Sequence, residues 1–151
     1  MLLGTPLAAC QAGGPQPTVL AERSPAGMEQ MQILVRAANR APHPITVEVA
    51  RTQAEQQRGM MFRESLAANS GMLFLYETPQ PVAYWMHNTV LPLDIIYVGP
   101  DRKVIRVAAD AVPYSDEPIP SNGAVIAVLE LNAGRAAQLG IVPGTEIDWP
   151  K

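Results

Sequence analysis

At 151 residues and 48% hydrophobic content, the chain has room for one ordinary domain with its own core and not for two. Its net charge of −3 and pI near 5.3, with Lys and Arg scattered along the chain, exclude the basic patch that electrostatic attachment to nucleic acid requires. No apolar run reaches the ~18 residues of a conventional transmembrane helix.

Taken in order, the chain opens on residues 1–10, which end at its one cysteine, Cys10, preceded by Leu7, Ala8 and Ala9. Small residues before a cysteine resemble the lipobox of a bacterial lipoprotein, but the charged start and the apolar core of about 7 to 15 residues are absent or cut short. Residues 1–10 therefore read as a truncated lipoprotein-type signal, with Cys10 as the lipidation candidate and the only expected link to a membrane. The plain alternative is a free thiol in a tail, and a lone cysteine allows no internal disulfide. Residues 11–27 are rich in Gly, Pro, Ala and Gln, too poor in apolar side chains to offset chain entropy, and read as a tether. Residues 28–37 carry Met28, Met31, Ile33, Leu34 and Val35, a strand or helix on the domain edge that periodicity does not decide. Pro42 and Pro44 reset the chain. A tether and edge segment over 11–43 and a folded domain over 44–151 are expected.

Within that domain, residues 45–50 alternate cleanly, with Ile45, Val47 and Val49 on one face. Thr52 and Glu55 then fit a capping box, and the helix they start should end near Gly59. Ala54, Arg58 and Met61 share one helical stripe, which places Arg58 toward the core and demands a buried acceptor for it. Strands are expected over 72–76, 82–89, 93–98 and 104–109, as a meander punctuated by Pro79, Pro81, Pro92 and the 99–101 turn. Residues 113–123 have loop chemistry. Residues 124–131 are apolar on both faces, as a central strand requires, with Glu130 the single charge. Asn132 should cap a second short helix stopped by Gly140, and residues 145–149 form a last strand. The expected fold is mainly β: a twisted antiparallel β-sandwich or open barrel with two short helices.

Polar chemistry concentrates in residues 84–94, which hold one of two tryptophans and one of two histidines. Trp85, Asn88, Thr89 and Asp94 could line a pocket in which an aromatic face binds apolar ring surfaces and polar groups orient the ligand. The alternative is structural: Trp85 packs the core while Asn88, Thr89 and Asp94 bond to turn backbone. Arg58, Asp94 and Glu130 are the charges set in apolar contexts, and an unpaired buried charge costs several kcal/mol, so they are expected to pair, either as an inert ion pair or as a charged pocket floor. With two histidines, one tail cysteine and no paired metal-ligand spacing, no metal is expected; the phosphate-loop and nucleophile-elbow motifs are absent, and no cofactor is expected either.

Four motifs resemble those of the DUF192 family of bacterial and archaeal proteins: Arg58, Gly59, Met60, Met61, Phe62, Arg63; Gly71, Met72, Leu73, Phe74; Trp85, Met86, His87, Asn88, Thr89 with Pro92, Leu93, Asp94, Ile95; and Leu129, Glu130, Leu131, Asn132, Ala133, Gly134. The likeness runs in order over residues 45–148. It implies a compact, mainly β fold with short helices, often behind a secretion signal, and no established activity. The family usually carries Lys or another polar residue at the position of His87, which counts against His87 as a general acid or base. The function expected is a non-enzymatic cell-envelope module, on the periplasmic or extracellular side, binding a small polar ligand such as a saccharide through Arg58, Trp85, Asn88, Thr89, Asp94 and Glu130. The alternatives are a hydrolase or lyase using Asp94 and Glu130 as acid and base, and a protein that binds a partner through an exposed apolar patch.

Overall fold

The computed structural model describes residues 13–151; Cys10 and the signal-like residues 1–10 lie outside the described residues. Ten strands and two short helices follow in the order β1 (Thr18–Val19), β2 (Gln30–Arg36), β3 (His43–Ala50), α1 (Gln53–Arg58), β4 (Ser70–Gln80), β5 (Ala83–Tyr84), β6 (Leu93–Val98), β7 (Val104–Ala111), β8 (Ile119–Pro120), β9 (Val125–Asn132), α2 (Arg135–Leu139) and β10 (Glu146–Asp148). The main sheet runs β1-β2-β3-β4-β9-β6-β7, with β10 also paired to β2, while β5 and β8 form a separate ribbon. The fold is thus mainly β, as the alternating segments require.

The expected meander is replaced by an insertion. β9, the strand apolar on both faces, lies between β4 and β6 and is antiparallel to both. One pair departs from antiparallel: β3 and β4 run parallel, because α1 and the loop after it carry the chain back across the sheet between them. β10 bridges the two ends of the sheet. It pairs with residues 34–36 of β2, and the backbone N–H groups of Val104, Gly144 and Ile147 tie its neighbourhood to the start of β7. Asp148 fastens this corner by accepting from Arg36 at 3.0 Å and from Arg102 at 3.3 Å. The mixed sheet twists into a sandwich-like β fold.

Two apolar layers result. Inside the curl lie Ile33, Ile45, Val47, Leu73, Ile96, Leu129, Leu131 and Ile147, closed at one end by Ala136 and Leu139 of α2. Outside it, on the far face of β4, β9 and β6, lie Met72, Phe74, Ile95, Tyr97 and Val128, covered by Met60 and Met86 from the loops above. Three expectations fail here. The domain begins before residue 44, since Ile33, Leu34 and Val35 of β2 are fully buried; the apolar run at 28–37 is a core strand paired with β3. The expected strand at 82–89 shrinks to Ala83–Tyr84, because Met86 donates its N–H to Ser115 and residues 86–89 close a turn with Asn88 at φ 52°. Asn132 does not cap α2: it ends β9 and donates to the Leu66 carbonyl, and left-handed Gly134 (φ 84°) precedes the helix instead.

Where β4 crosses β9, a Cβ on Gly71 would stand 2.5 Å from the Glu130 carbonyl oxygen and 2.7 Å from a Leu131 methyl. Neither can retreat, since both belong to the central strand. Gly71→Ala should therefore destabilise the protein by about 1–3 kcal/mol, read as a lower urea midpoint with an unchanged m-value.

Candidate functional site

The site sits on the outer face of the sheet, under three loops. Thr52 starts α1 by accepting from the Glu55 N–H at 3.2 Å, and the Glu55 carboxylate returns bonds to the backbone of Thr52 and Arg51, both at 2.9 Å. Those backbone donors hold the Glu55 carboxyl below its ordinary pKa. At Gly59 the backbone turns to φ 46°, ψ −130°, a conformation only glycine takes readily, and the chain reverses over Phe74. Residues 59–63 are then laced to the other loops: Phe62 donates to Asn88 at 2.9 Å and Tyr114 donates to Thr89 at 3.1 Å. Phe62 (φ 64°), Asn88 (φ 52°) and Tyr114 (φ 62°) all take left-handed backbone, sustained by the Phe62–Asn88 and Tyr114–Thr89 bonds between loops.

Four of the six expected site residues converge. Arg58, Trp85, Thr89 and Glu130 line one small cavity of about 40 Å³ beneath the Gly59 reversal. It adjoins a groove of about 510 Å³ between α1 and the Tyr84–Trp85 segment, lined also by Gln53, Gln57 and Tyr76. Asn88 sits apart, in a surface hollow with Phe62, Val90 and Tyr114. Asp94 lies on the opposite face: in the register of β6 and β9 it pairs with Leu131, whereas Glu130 pairs with Ile95. Its carboxylate accepts from the Asp110 N–H and the Ala136 N–H, each at 2.9 Å, and so pins α2 and the β7 bend to β6.

The expected pairing of Arg58, Asp94 and Glu130 does not occur. Arg58 is exposed, with its guanidinium 5.9 Å from the Phe62 ring centre, because the face it shares with Ala54 points to solvent and the helix ends at Gly59 before Met61 can join that face. The arginine that enters this layer is the partly buried Arg63, which pairs with Glu48 of β3 and reaches Met28 Sδ at 3.8 Å. Glu48 and Glu130 share the outer face through Met72, their common cross-strand neighbour. Two acids thus face one arginine; Arg63 takes Glu48, and Glu130 Oε2 is left buried without a hydrogen-bond partner. Burial pushes the Glu130 carboxyl up to about 8, against the pull of Arg63. Burial raises the Tyr76, Tyr84 and Tyr97 hydroxyls as well, with Glu130 contributing to each. Tyr76 and Tyr84, whose hydroxyls meet at 2.7 Å, carried no motif that could have marked them. Glu48 could have been flagged as a carboxylate in a strand otherwise apolar at its end. Among the described residues, no group of three or more His, Cys, Asp or Glu side chains is arranged to hold a metal ion.

Two measurements follow from this geometry. Asp94→Ala removes a buried acceptor of two backbone bonds and should cost about 2–4 kcal/mol of stability in urea titration while leaving the groove intact. For Glu130, the folded carboxyl holds its proton up to pH of about 8 whereas the unfolded one ionises near 4.5, so stability falls as pH rises through that window. Glu130→Gln should flatten this decline, matching the native chain at pH 5 and exceeding it by a few kcal/mol near pH 9.

The chain is 43% identical to a protein of unknown function from Novosphingobium aromaticivorans DSM 12444, covering 97% of this chain and all of that one with a TM-score of 0.80. It is 36% identical to a candidate transcription regulator from Sinorhizobium meliloti 1021, covering 80% of this chain and 94% of that one with a TM-score of 0.78. No curated protein matches it. The model of one family, described as uncharacterized ACR, matches residues 34–149, from Leu34 within β2 through β10, and takes in every residue of the groove and the cavity below it. The chain belongs to the DUF192 family, a family of unknown function.

Proposed function

We propose that this protein is a non-enzymatic module that binds a small polar ligand of the saccharide class in the groove along α1. The observation that carries this reading is Trp85, half-exposed at 50% and set opposite the amides of Gln53, Gln56 and Gln57. One face of its indole is stacked on His87 at 4.7 Å, and His87 is held in turn by Asp116 at 2.6 Å, so the ring is braced rather than free. Gln56 has spent its N–H groups on the carbonyls of Ala50 and Leu75, at 3.2 and 2.9 Å, which leaves its own carbonyl oxygen as a fixed acceptor. A braced aromatic plane facing amides suits a ring with one apolar face and equatorial hydroxyls. The groove volume lies within the ~300–1,000 Å³ usual for small-ligand sites.

A two-carboxylate hydrolase or lyase is disfavoured, because Asp94 and Glu130 project from opposite faces of the sheet and Asp94 is fully engaged with backbone. The regulator description of the S. meliloti protein gains little support from a chain of net charge −3 whose Lys and Arg residues are scattered along the sequence. Placement at the cell envelope, through a lipid at Cys10, rests on the Leu7–Cys10 run. A partner-binding protein would instead use the hollow of Phe62 (65% exposed), Val90 and Tyr114 (63% exposed), and Phe62→Ser with Tyr114→Ser would then spare ligand binding in the groove.

The test is an intrinsic-fluorescence titration with chito-, malto- and cello-oligosaccharides and cell-wall fragments. Trp149 is 6% exposed, so the response to ligand comes from Trp85. At least one class should shift the emission, and Trp85→Ala should weaken its binding, followed by calorimetry, about tenfold or more. Silence across all classes, or full affinity in Trp85→Ala, would overturn the reading.

A further inference from the structure

Glu130 Oε2 is the one buried side-chain polar atom among the described residues that has no hydrogen-bond partner. Leaving a buried acceptor unmade is costly, more so when it is charged, and such groups are rare enough to require a reason. The cavity that Glu130 floors is not isolated: Gln56, Gln57, Met61, Tyr84 and Trp85 line both it and the groove above. At about 40 Å³ it admits one small group and no sugar ring.

The walls narrow the kind of group. Phe74, Tyr84 and Trp85 present aromatic surface to the space. The neighbouring hydroxyls are already committed, since Thr89 donates to the His87 carbonyl at 3.0 Å and the Tyr84 hydroxyl is paired with that of Tyr76. Arg63, the cation whose charge acts on Glu130, is bound to Glu48, and Arg58, which also lines the cavity, is exposed and screened by solvent. The remaining titratable group packed against this layer, Tyr97, donates its hydroxyl to the Ile119 carbonyl. What is left is a lone carboxyl acceptor among π faces, a combination that selects a donor bearing positive charge.

On the reading that the groove binds a saccharide-class ligand, we infer that the ligand carries a primary amino group, which enters the cavity beneath Gly59 as an ammonium and hydrogen-bonds Glu130. Binding then requires Glu130 to give up its proton, to solvent or to an amine that arrives neutral, so the complex is a closed ion pair. A hydroxyl at the same position would make a neutral bond of roughly half the strength.

Two measurements on the full chain test this. Calorimetric titration at pH 7 should show glucosamine binding about tenfold tighter than glucose, and Glu130→Gln should bring glucosamine down to the affinity of glucose; equal affinities in the native chain, or a preference that survives the substitution, overturn the inference. Independently of any sugar, ¹³C NMR of the Glu130 carboxyl should show methylammonium chloride displacing its titration to lower pH, with potassium chloride and methanol without effect. No displacement overturns the inference even if sugars bind. A displacement with every sugar silent upholds it and removes the saccharide reading instead.

Discussion

β9 is hydrogen-bonded along both edges, to β4 and β6, and packed on both faces, so every polar group it carries must be satisfied by protein rather than by water. The rest of the structure is arranged around that demand. The inner face is closed by the curl of the sheet and by α2; the outer face needs a second cover, supplied by α1, the Gly59 reversal and the loops around residues 86–90 and 112–116. Gly71 exists as glycine because β4 must press its backbone against this strand.

The second cover also creates the site. A loop layer packs less completely than a strand layer, and its imperfections leave the groove beside Trp85 and the small cavity below it. Charge counting completes the arrangement: Glu48 and Glu130 enter the same dry layer from the two strands that flank β4, with one arginine between them, and Glu130 is the one left over. Had Arg63 reached Glu130 instead, the buried Glu48 would be the acid left over. The left-handed backbone at Phe62, Asn88 and Tyr114 shows that the cover is held under constraint, with each residue's bonds made to another loop rather than within its own.

Much of this was legible in the chain itself. Alternation marked β3 and β7, a doubly apolar run marked β9 as central, and the Thr52–Glu55 box with Gly59 bounded α1. Trp85, Thr89, Arg58 and Glu130 were named before their convergence could be seen. The errors have particular causes. The expectation of an inward Arg58 carries helical phase through to Met61, but the helix ends at Gly59 and the face that Arg58 shares with Ala54 is exposed. Asp94 was grouped with Glu130 because both are lone charges in apolar strands, and only the pairing of Asp94 with Leu131 sends it to the other face.

The chain by itself determined which segments bury apolar surface and where polar residues interrupt them, since periodicity and capping are local and each is written within a few residues. Tertiary structure alone decided that β9 lies between β4 and β6, that β3 and β4 run parallel, that Arg63 rather than Arg58 meets an acid, and that Glu130 is left without a partner. Those are matters of register and of competition among distant groups for one arginine, and a one-residue change in pairing reverses the face of every side chain involved.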